Sequence, residues 1–431
     1  MEASVPARDR RERAVGVPGS EPGGERTATG IPIVPALDGF RAIGIVGIVI
    51  LHTFQAVGIG WEPEGNPIVQ FLWACDIGQT CLNALFIVSG FVIYLPIVAR
   101  GGRMGSVGAF AIRRAARLFP AYWFVLLVML ALIATLPFES GLVQFPSALD
   151  LGLTITTMEV PAEMVRFTYF LGFGMNRAIW TLSLDVTFYV LLILLAVRWY
   201  RRPLAGMALA VALALGWRFV FSNVEDVASV LGTGVSSGTA SNLRLAAEIQ
   251  FPFWAMSFAV GMWVAQVYTR LSAGDFPELR RFLGARLQIA ALIGAFLAIS
   301  GVAIFEPTSI TYSPLASTLY TALIGLFMLG TITASPRAQA PLANRAVRWT
   351  GDVSYGTYLI HLVILTMLLD FTDLPRGTYP DAFLWIAIVV PLSVLWGWGS
   401  RRLIEQPTRQ WASKYAIALK QRKAIAEAQE S

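Results

Sequence analysis

The chain alternates long apolar runs with short polar stretches that carry most of its arginines. Few charged residues interrupt these runs, and each run is long enough to cross a bilayer as one helix. The pattern therefore predicts an all-α, polytopic membrane protein with about ten transmembrane helices. They lie at about residues 40–59, 79–98, 118–137, 180–199, 203–222, 251–269, 287–305, 314–333, 352–370 and 382–400.

Composition narrows the class further. The 431 residues are 56% hydrophobic and only 14% charged, which is too apolar for a soluble protein. The net charge of +6 does not indicate a nucleic-acid partner, because the arginines stand in short clusters between apolar runs. The two cysteines, Cys75 and Cys81, are too few for a four-cysteine zinc site or a disulfide framework. We expect no metal, and a bond between these two cysteines stays open.

The distribution of arginine predicts the orientation. If the arginine-rich N-terminal tail is cytoplasmic, nearly every other arginine cluster falls on that side. The opposite side receives only Arg166, Arg177, Arg244 and Arg376. Because positive loops favour the cytoplasm, we expect a multi-pass protein of the plasma membrane with both termini inside. The loops at 138–179 and 223–250 would then face outward, and the first is expected to re-enter the membrane or to lie at its surface.

This layout predicts three parts. Residues 1–35 form a disordered cytoplasmic tail, because they are rich in Arg, Glu, Gly and Pro and contain no apolar stretch. Residues 36–407 form the membrane domain, and residues 408–431 form a basic cytoplasmic C-terminal tail.

The first apolar run carries two residues that are costly to place against lipid. Arg41 stands at its start, and His52, one of only two histidines in the chain, lies deep within it. Eleven residues are close to three helical turns, so both side chains share one face and are about 16 Å apart along the axis. We interpret this face as the lining of a polar cavity. The alternative is that Arg41 reaches the lipid head groups while His52 bonds a neighbouring carbonyl.

Five stretches give the chain a family resemblance. The segment Leu37-Asp-Gly-Phe-Arg41, followed by His52, resembles the start of the acyltransferase-3 family of membrane enzymes. Four later stretches resemble the same family in the same order: Leu85–Phe91, Arg113–Tyr122, Trp180–Tyr189 and Ser354–His361. With the closing Glu405-Gln-Pro407, the resemblance covers roughly residues 36–407. The resemblance implies transfer of an acyl group from acyl-CoA to a sugar or related acceptor.

The resemblance also implies catalytic residues. His52 matches the histidine of the family and would be the general base, a task that suits a pKa near neutrality. Arg41 would act on donor binding or on the electrostatics of the cavity. Asp185, where most relatives have glutamate, would either fix the imidazole tautomer or pair with a cation. The structural alternative for Asp185 is an interfacial acid that faces water.

The same motifs indicate where the donor would bind. Arg113, Arg114 and Arg117 form a dense cationic stretch, and arginine forks bind phosphate groups such as those of coenzyme A. Such a cluster is also what the positive-inside rule produces without any ligand. Ser89 precedes a glycine that would permit close approach, either of the pantetheine arm or of another helix.

The remaining motif residues are candidates for the acceptor side. Ser354, Tyr358 and His361 share one helical face, and Trp180 opens the motif that contains Asp185. These side chains would bind the acceptor or line the cavity, although buried hydroxyls also tie membrane helices together without any ligand. Glu405-Gln-Pro407 resembles the closing Glu-x-Pro of the family, and we expect it to end the last transmembrane helix.

The resemblance therefore favours a membrane O-acyltransferase that moves an acyl group from cytoplasmic acyl-CoA to a hydroxyl. Acetyl, from acetyl-CoA, is the commonest group in the family, and the acceptor would be a sugar, a cell-surface glycan or a glycosylated small molecule. The alternative class is a transporter or proton-coupled carrier, which also places Arg, His and Asp in the membrane. No clear internal repeat supports that alternative, and a silent binding protein is the third class. The oligomeric state and the acyl length stay open.

Overall fold

The computed structural model describes residues 34–59, 74–139, 141, 143–166, 174–274, 277–305 and 313–430. Within these ranges the chain forms helices and turns and contains no strand. The expectation of a disordered tail falls almost entirely outside them. The helices are α1 Ala36–Val57, α2 Ile77–Val98, α3 Val107–Thr135, α4 Ala148–Ile155, α5 Glu159–Arg166, α6 Trp180–Arg201, α7 Pro203–Ser222, α8 Val224–Val230, α9 Ser237–Glu248, α10 Phe251–Ala273, α11 Pro277–Phe282, α12 Gly284–Phe305, α13 Pro314–Thr333, α14 Pro336–Ala343, α15 Arg345–Phe371, α16 Tyr379–Ser400 and α17 Gln406–Glu430.

Nine helices in the described part of the chain are long and apolar enough to cross a membrane. They coincide with nine of the ten predicted runs, which confirms the polytopic helical class. The tenth run lies in α10, which has the length of a span but is more polar than the other nine. Most side chains of α10 are buried in the bundle rather than turned outward.

Two helices organise the bundle. Helix α1 packs against α2, α15 and α16, while α10 packs against α2, α7 and α13. Helix α2 therefore joins the two groups. Helix α12 lies at the edge and contacts mainly α13. Large apolar side chains of α7 and α12 point outward, for example Leu209, Phe219 and Leu297, as expected for surfaces that face lipid.

The closest crossing in the bundle lies between α2 and α10. A Cβ atom on Gly90 would collide with the carbonyl of Phe258, and one on Gly261 would collide with the carbonyl of Ile87. The two glycines thus let the backbones approach as small residues do in membrane helix pairs. The glycine of the Ser89-Gly90 motif was expected to allow close approach either of the pantetheine arm or of another helix. In the structure, Gly90 lies against another helix, α10.

The described part of the 138–179 loop forms a short helical hairpin, α4 and α5. The Tyr122 hydroxyl of α3 donates to the Thr154 carbonyl at 2.7 Å, and the Ser183 hydroxyl of α6 donates to the Thr157 carbonyl at 2.7 Å. All four of these residues are buried. The hairpin is thus docked between two long helices, whereas residues 167–173 of the loop lie outside the described ranges.

The expected end of the last transmembrane helix is wrong. Helix α16 continues through a π turn, Arg401–Glu405, directly into α17. Pro407 is tolerated because it stands in the first turn of the new helix, where its missing N–H has no intrahelical acceptor. Thr408 then bonds the Ala116 carbonyl of α3 at 3.1 Å, so α17 packs against the start of α3.

The α2–α10 crossing generates a stability prediction. Gly261→Ala should lower the stability of the folded protein by about 1–3 kcal/mol, because the new methyl group must push the Ile87 backbone away. Thermal unfolding in detergent measures the loss. Gly216→Ala on α7 is the matched control, since a Cβ there meets no atom within 4 Å. That change should leave stability equal or slightly higher, and equal effects at both sites would contradict the packing argument.

Candidate active site

The two histidines of the chain meet in the bundle. His52 on α1 and His361 on α15 are joined by a hydrogen bond of 2.8 Å from Nδ1 of His52 to Nε2 of His361. Their ring centroids are 5.1 Å apart, with planes only 10° from parallel. His361 is fully buried and His52 is partly buried. The pair brings together two motifs that are 309 residues apart in sequence.

The hydrogen bonds assign the tautomers of this histidine pair when both rings are neutral. Nδ1 of His361 lies 2.6 Å from the Tyr358 carbonyl, which can only accept, so this nitrogen carries the proton. Nε2 of His361 is then an acceptor, and Nδ1 of His52 must donate to it. The remaining nitrogen of His52, Nε2, is left with its lone pair. This is the arrangement of an imidazole base held by a second group.

The start of α6 and the segment before it are hydrogen-bonded to α15 beside the histidine pair. Tyr358 donates its hydroxyl to the Ala178 carbonyl at 2.5 Å and accepts from the Thr181 hydroxyl at 2.9 Å. Asn176, fully buried, donates to the Leu359 carbonyl at 2.6 Å. Asn176 and Thr181 were not predicted from the sequence. The signal available was their distance from Trp180, since Asn176 stands four residues before it and Thr181 directly follows it within the same motif.

Arginines of two helices gather nearer the start of α1. Arg41 forms an ion pair with Asp38 at 3.2 Å. Arg114 of α3 lies over the Tyr189 ring of α6, 5.9 Å from its centroid. The charges of Arg117 and Arg114 act on Arg41 as well, so the three arginines form one cluster. We refer to Arg41, Arg114 and Arg117 as the arginine cluster.

Asp185 lies in the field of the arginine cluster. All three of its arginines act electrostatically on the carboxylate of this partly buried residue. One carboxylate oxygen, Oδ1, has no hydrogen-bond partner among the described residues. Of the alternatives raised for Asp185, pairing with cations matches this placement. The partner of His52 is His361, a histidine rather than a carboxylate.

The other predicted residues are distributed around these two centres. Arg113 is exposed, whereas its neighbours Arg114 and Arg117 are partly buried. Ser89 is partly buried. Ser354 is buried and its hydroxyl bonds the Gly351 carbonyl of its own helix at 2.7 Å. Trp180 packs with Trp254 of α10, with ring centroids 6.0 Å apart.

Two further buried polar residues, Glu159 and Asn83, were given no role from the sequence. Glu159, at the start of α5, is buried, and this burial raises the pKa of its carboxyl to about 8, with the nearby Glu163 adding to the rise. Asn83 of α2 accepts hydrogen bonds from Ser257 at 2.6 Å and Thr321 at 3.2 Å. It therefore ties α2 to α10 and α13. Cys75 and Cys81 are both free thiols.

The described helices define a multi-pass membrane protein that holds a hydrogen-bonded histidine pair and an arginine cluster in one bundle. The family model described as an acyltransferase domain matches residues 34–402. The chain belongs to the acyltransferase-3 family.

Two curated proteins are similar to most of the chain. Peptidoglycan O-acetyltransferase OatA of Listeria monocytogenes serovar 1/2a is 23% identical over 391 residues, which cover 88% of this chain and 56% of OatA. Nodulation protein 10 of Rhizobium leguminosarum bv. viciae is 27% identical over 367 residues, covering 80% of this chain and 87% of the relative. The chain thus spans little more than half the length of OatA. No solved structure matches.

Proposed function

We propose that this protein is a membrane O-acyltransferase that moves an acyl group from acyl-CoA to a hydroxyl of a carbohydrate, with His52 as the general base. The observation that carries the proposal is the hydrogen-bonded histidine pair, which leaves Nε2 of His52 free to take a proton. Membership of the acyltransferase-3 family supports the reaction class. A cell-surface glycan and an acetyl group are the first choices, because one relative is named a peptidoglycan O-acetyltransferase.

The proposed reaction has two steps. Nε2 of His52 takes the proton of the acceptor hydroxyl as its oxygen forms a bond to the thioester carbonyl carbon. The tetrahedral oxyanion then collapses, the carbon–sulfur bond breaks, and the thiolate leaves with the proton returned by His52. Between these steps His52 is a cation, which its hydrogen bond to Nε2 of His361 stabilises. His361 keeps its own proton on Nδ1, hydrogen-bonded to the Tyr358 carbonyl, throughout.

The arginine cluster is proposed to hold the phosphates of the donor. Arg41 is about 16 Å along the α1 axis from His52. A donor whose phosphates and reactive carbonyl are separated by a long arm matches this spacing, and acyl-CoA is such a donor. Asp185 offsets part of the positive charge, since Arg117, Arg114 and Arg41 all act on it. Ser89, Trp180 and Ser354 are proposed to line the path between these centres.

His52→Ala should reduce the rate of acyl transfer by about 10²–10⁴, because the general base is lost. Purified protein, labelled acetyl-CoA and a panel of glycan acceptors provide the assay. His361→Gln offers His52 a carbonyl acceptor, so it should keep more activity than His361→Leu, which offers none. Every variant must be expressed at the parental level and must unfold in detergent at the parental temperature. A His52→Ala protein that transfers acyl groups at the parental rate would exclude His52 as the base.

Arg117→Ala should raise the apparent KM for acetyl-CoA about tenfold or more while changing kcat less, since a charge-assisted phosphate contact is lost. Arg113→Ala is the matched control, because Arg113 lies in the same helix but is exposed. The control should keep a parental KM. If the parent, Arg113→Ala and Arg117→Ala all have the same KM for acetyl-CoA, Arg117 does not bind the donor. The arginines would then serve only to orient the protein in the membrane.

We propose in addition that both termini are cytoplasmic and that the membrane is the plasma membrane. The test uses single cysteines at Ser20 and at Ser229, which is exposed on α8, in a background with Cys75→Ser and Cys81→Ser. An impermeant thiol reagent added to intact cells should label the cysteine at 229 and should reach the one at 20 only after lysis. Labelling of position 20 without lysis would reverse the orientation and the side from which acyl-CoA enters.

A further inference from the structure

A second polar site lies outside the histidine pair and the arginine cluster. It is a cavity of about 450 Å³, including its open mouth, between the end of α7, helix α9 and the starts of α10 and α13. It lies at the end of α7 remote from Arg201 and Arg202. We call it the α7 pocket, and its lining includes Trp217, Arg218, Phe221, Arg244, Glu248 and Phe253.

Arg218 is the residue that makes this pocket unusual. It stands on a helix whose other large side chains mostly face outward, and an arginine within a membrane helix marks a functional site by default. Its guanidinium lies over the Phe253 ring, 3.9 Å from the centroid, and donates to the Ser317 hydroxyl. The guanidinium is therefore held in a fixed orientation at the wall of the pocket.

Aromatic rings form the apolar part of the wall. The indole N–H of Trp217 donates to the Ala247 carbonyl at 3.0 Å, which fixes the ring, and Phe221 packs beside it with centroids 4.6 Å apart. Rigid rings of this kind offer flat apolar surface with little loss of conformational entropy. Such a surface suits the C–H face of a sugar ring.

The charges of the pocket cancel in pairs. Glu248 acts electrostatically on Arg218, and Arg244 forms an ion pair with Glu225 at 2.5 Å. A pocket in which each arginine is matched by a glutamate has no excess positive charge for a phosphate or carboxylate. It does offer fixed N–H donors beside carboxylate acceptors, the combination that neighbouring hydroxyl groups require, since each hydroxyl both donates and accepts.

From the aromatic wall and the paired charges, we infer that the α7 pocket binds an uncharged pyranose unit of a glycan. Its position supports a role beside the acceptor path. The Phe253 ring contacts Trp254 at 5.4 Å between centroids, and Trp254 contacts Trp180 at 6.0 Å. A sugar held there would anchor a longer chain away from His52. Binding itself does not depend on acyl transfer.

The test measures binding without an acyl donor. Full-length protein in phosphatidylcholine nanodiscs is mixed with methyl β-D-glucopyranoside or the β-linked N-acetylglucosamine trimer, and saturation-transfer NMR and calorimetry follow binding. Sugar detergents are avoided because they would compete. At least one of the two probes should bind, and Trp217→Leu should weaken it about tenfold by removing an aromatic platform. Trp349→Leu, at an exposed tryptophan on α15, is the matched control and should bind as the parent does.

A second variant protects the test against misfolding. Glu248→Gln keeps the size of the side chain but removes the charge that balances Arg218, so it should weaken the uncharged probe and strengthen inorganic phosphate. Because no acyl donor is present, sugar binding and acyl transfer have separate readouts, which separates this inference from the catalytic proposal. The inference is overturned if neither sugar binds, if Trp217→Leu binds as well as Trp349→Leu, or if phosphate binds the parent more tightly than either sugar.

Discussion

The hydrogen bond between His52 and His361 is the constraint on which the interior of this bundle depends. In a membrane interior, an imidazole N–H without a partner is costly, so each histidine needs the other or a carbonyl. The hydrogen bond forms only when His52 faces His361, so it fixes the rotation of α1 about its axis relative to α15. The same contact places Tyr358 one turn away, against Ala178 and Thr181. One polar contact therefore sets the relation of α1, α15 and the segment before α6.

Much of the fold could be predicted from the sequence, because a membrane span is a local property of composition and length. All ten predicted runs fall on helices of at least twenty residues. The junction at Glu405 was mispredicted for an equally local reason. A Glu-x-Pro motif usually ends a helix, but a π turn before it and a proline in the next first turn let the chain stay helical.

The site was only partly predictable. His52 and His361 were both named, but not as partners, since no local pattern connects residues 309 positions apart. This pairing determines which nitrogen of His52 keeps its lone pair. Asp185 was named as a candidate from its motif, but its surroundings depend on how α3 and α6 pack. Arg218 was passed over because a single arginine near the end of a span resembles a topology signal.

The π turn at Arg401–Glu405 has a consequence for how the C-terminal helix finds its place. An extra residue in one helical turn shifts the phase of everything that follows by about 100°. Thr408, Ala412 and Ala416 are spaced four apart and lie on the side of α17 that is turned inward, with both alanines fully buried. Without that shift, this stripe would be turned away from α3 by the same angle. The one extra residue in the π turn therefore sets which face of α17 packs against α3, two helices that are far apart in the sequence.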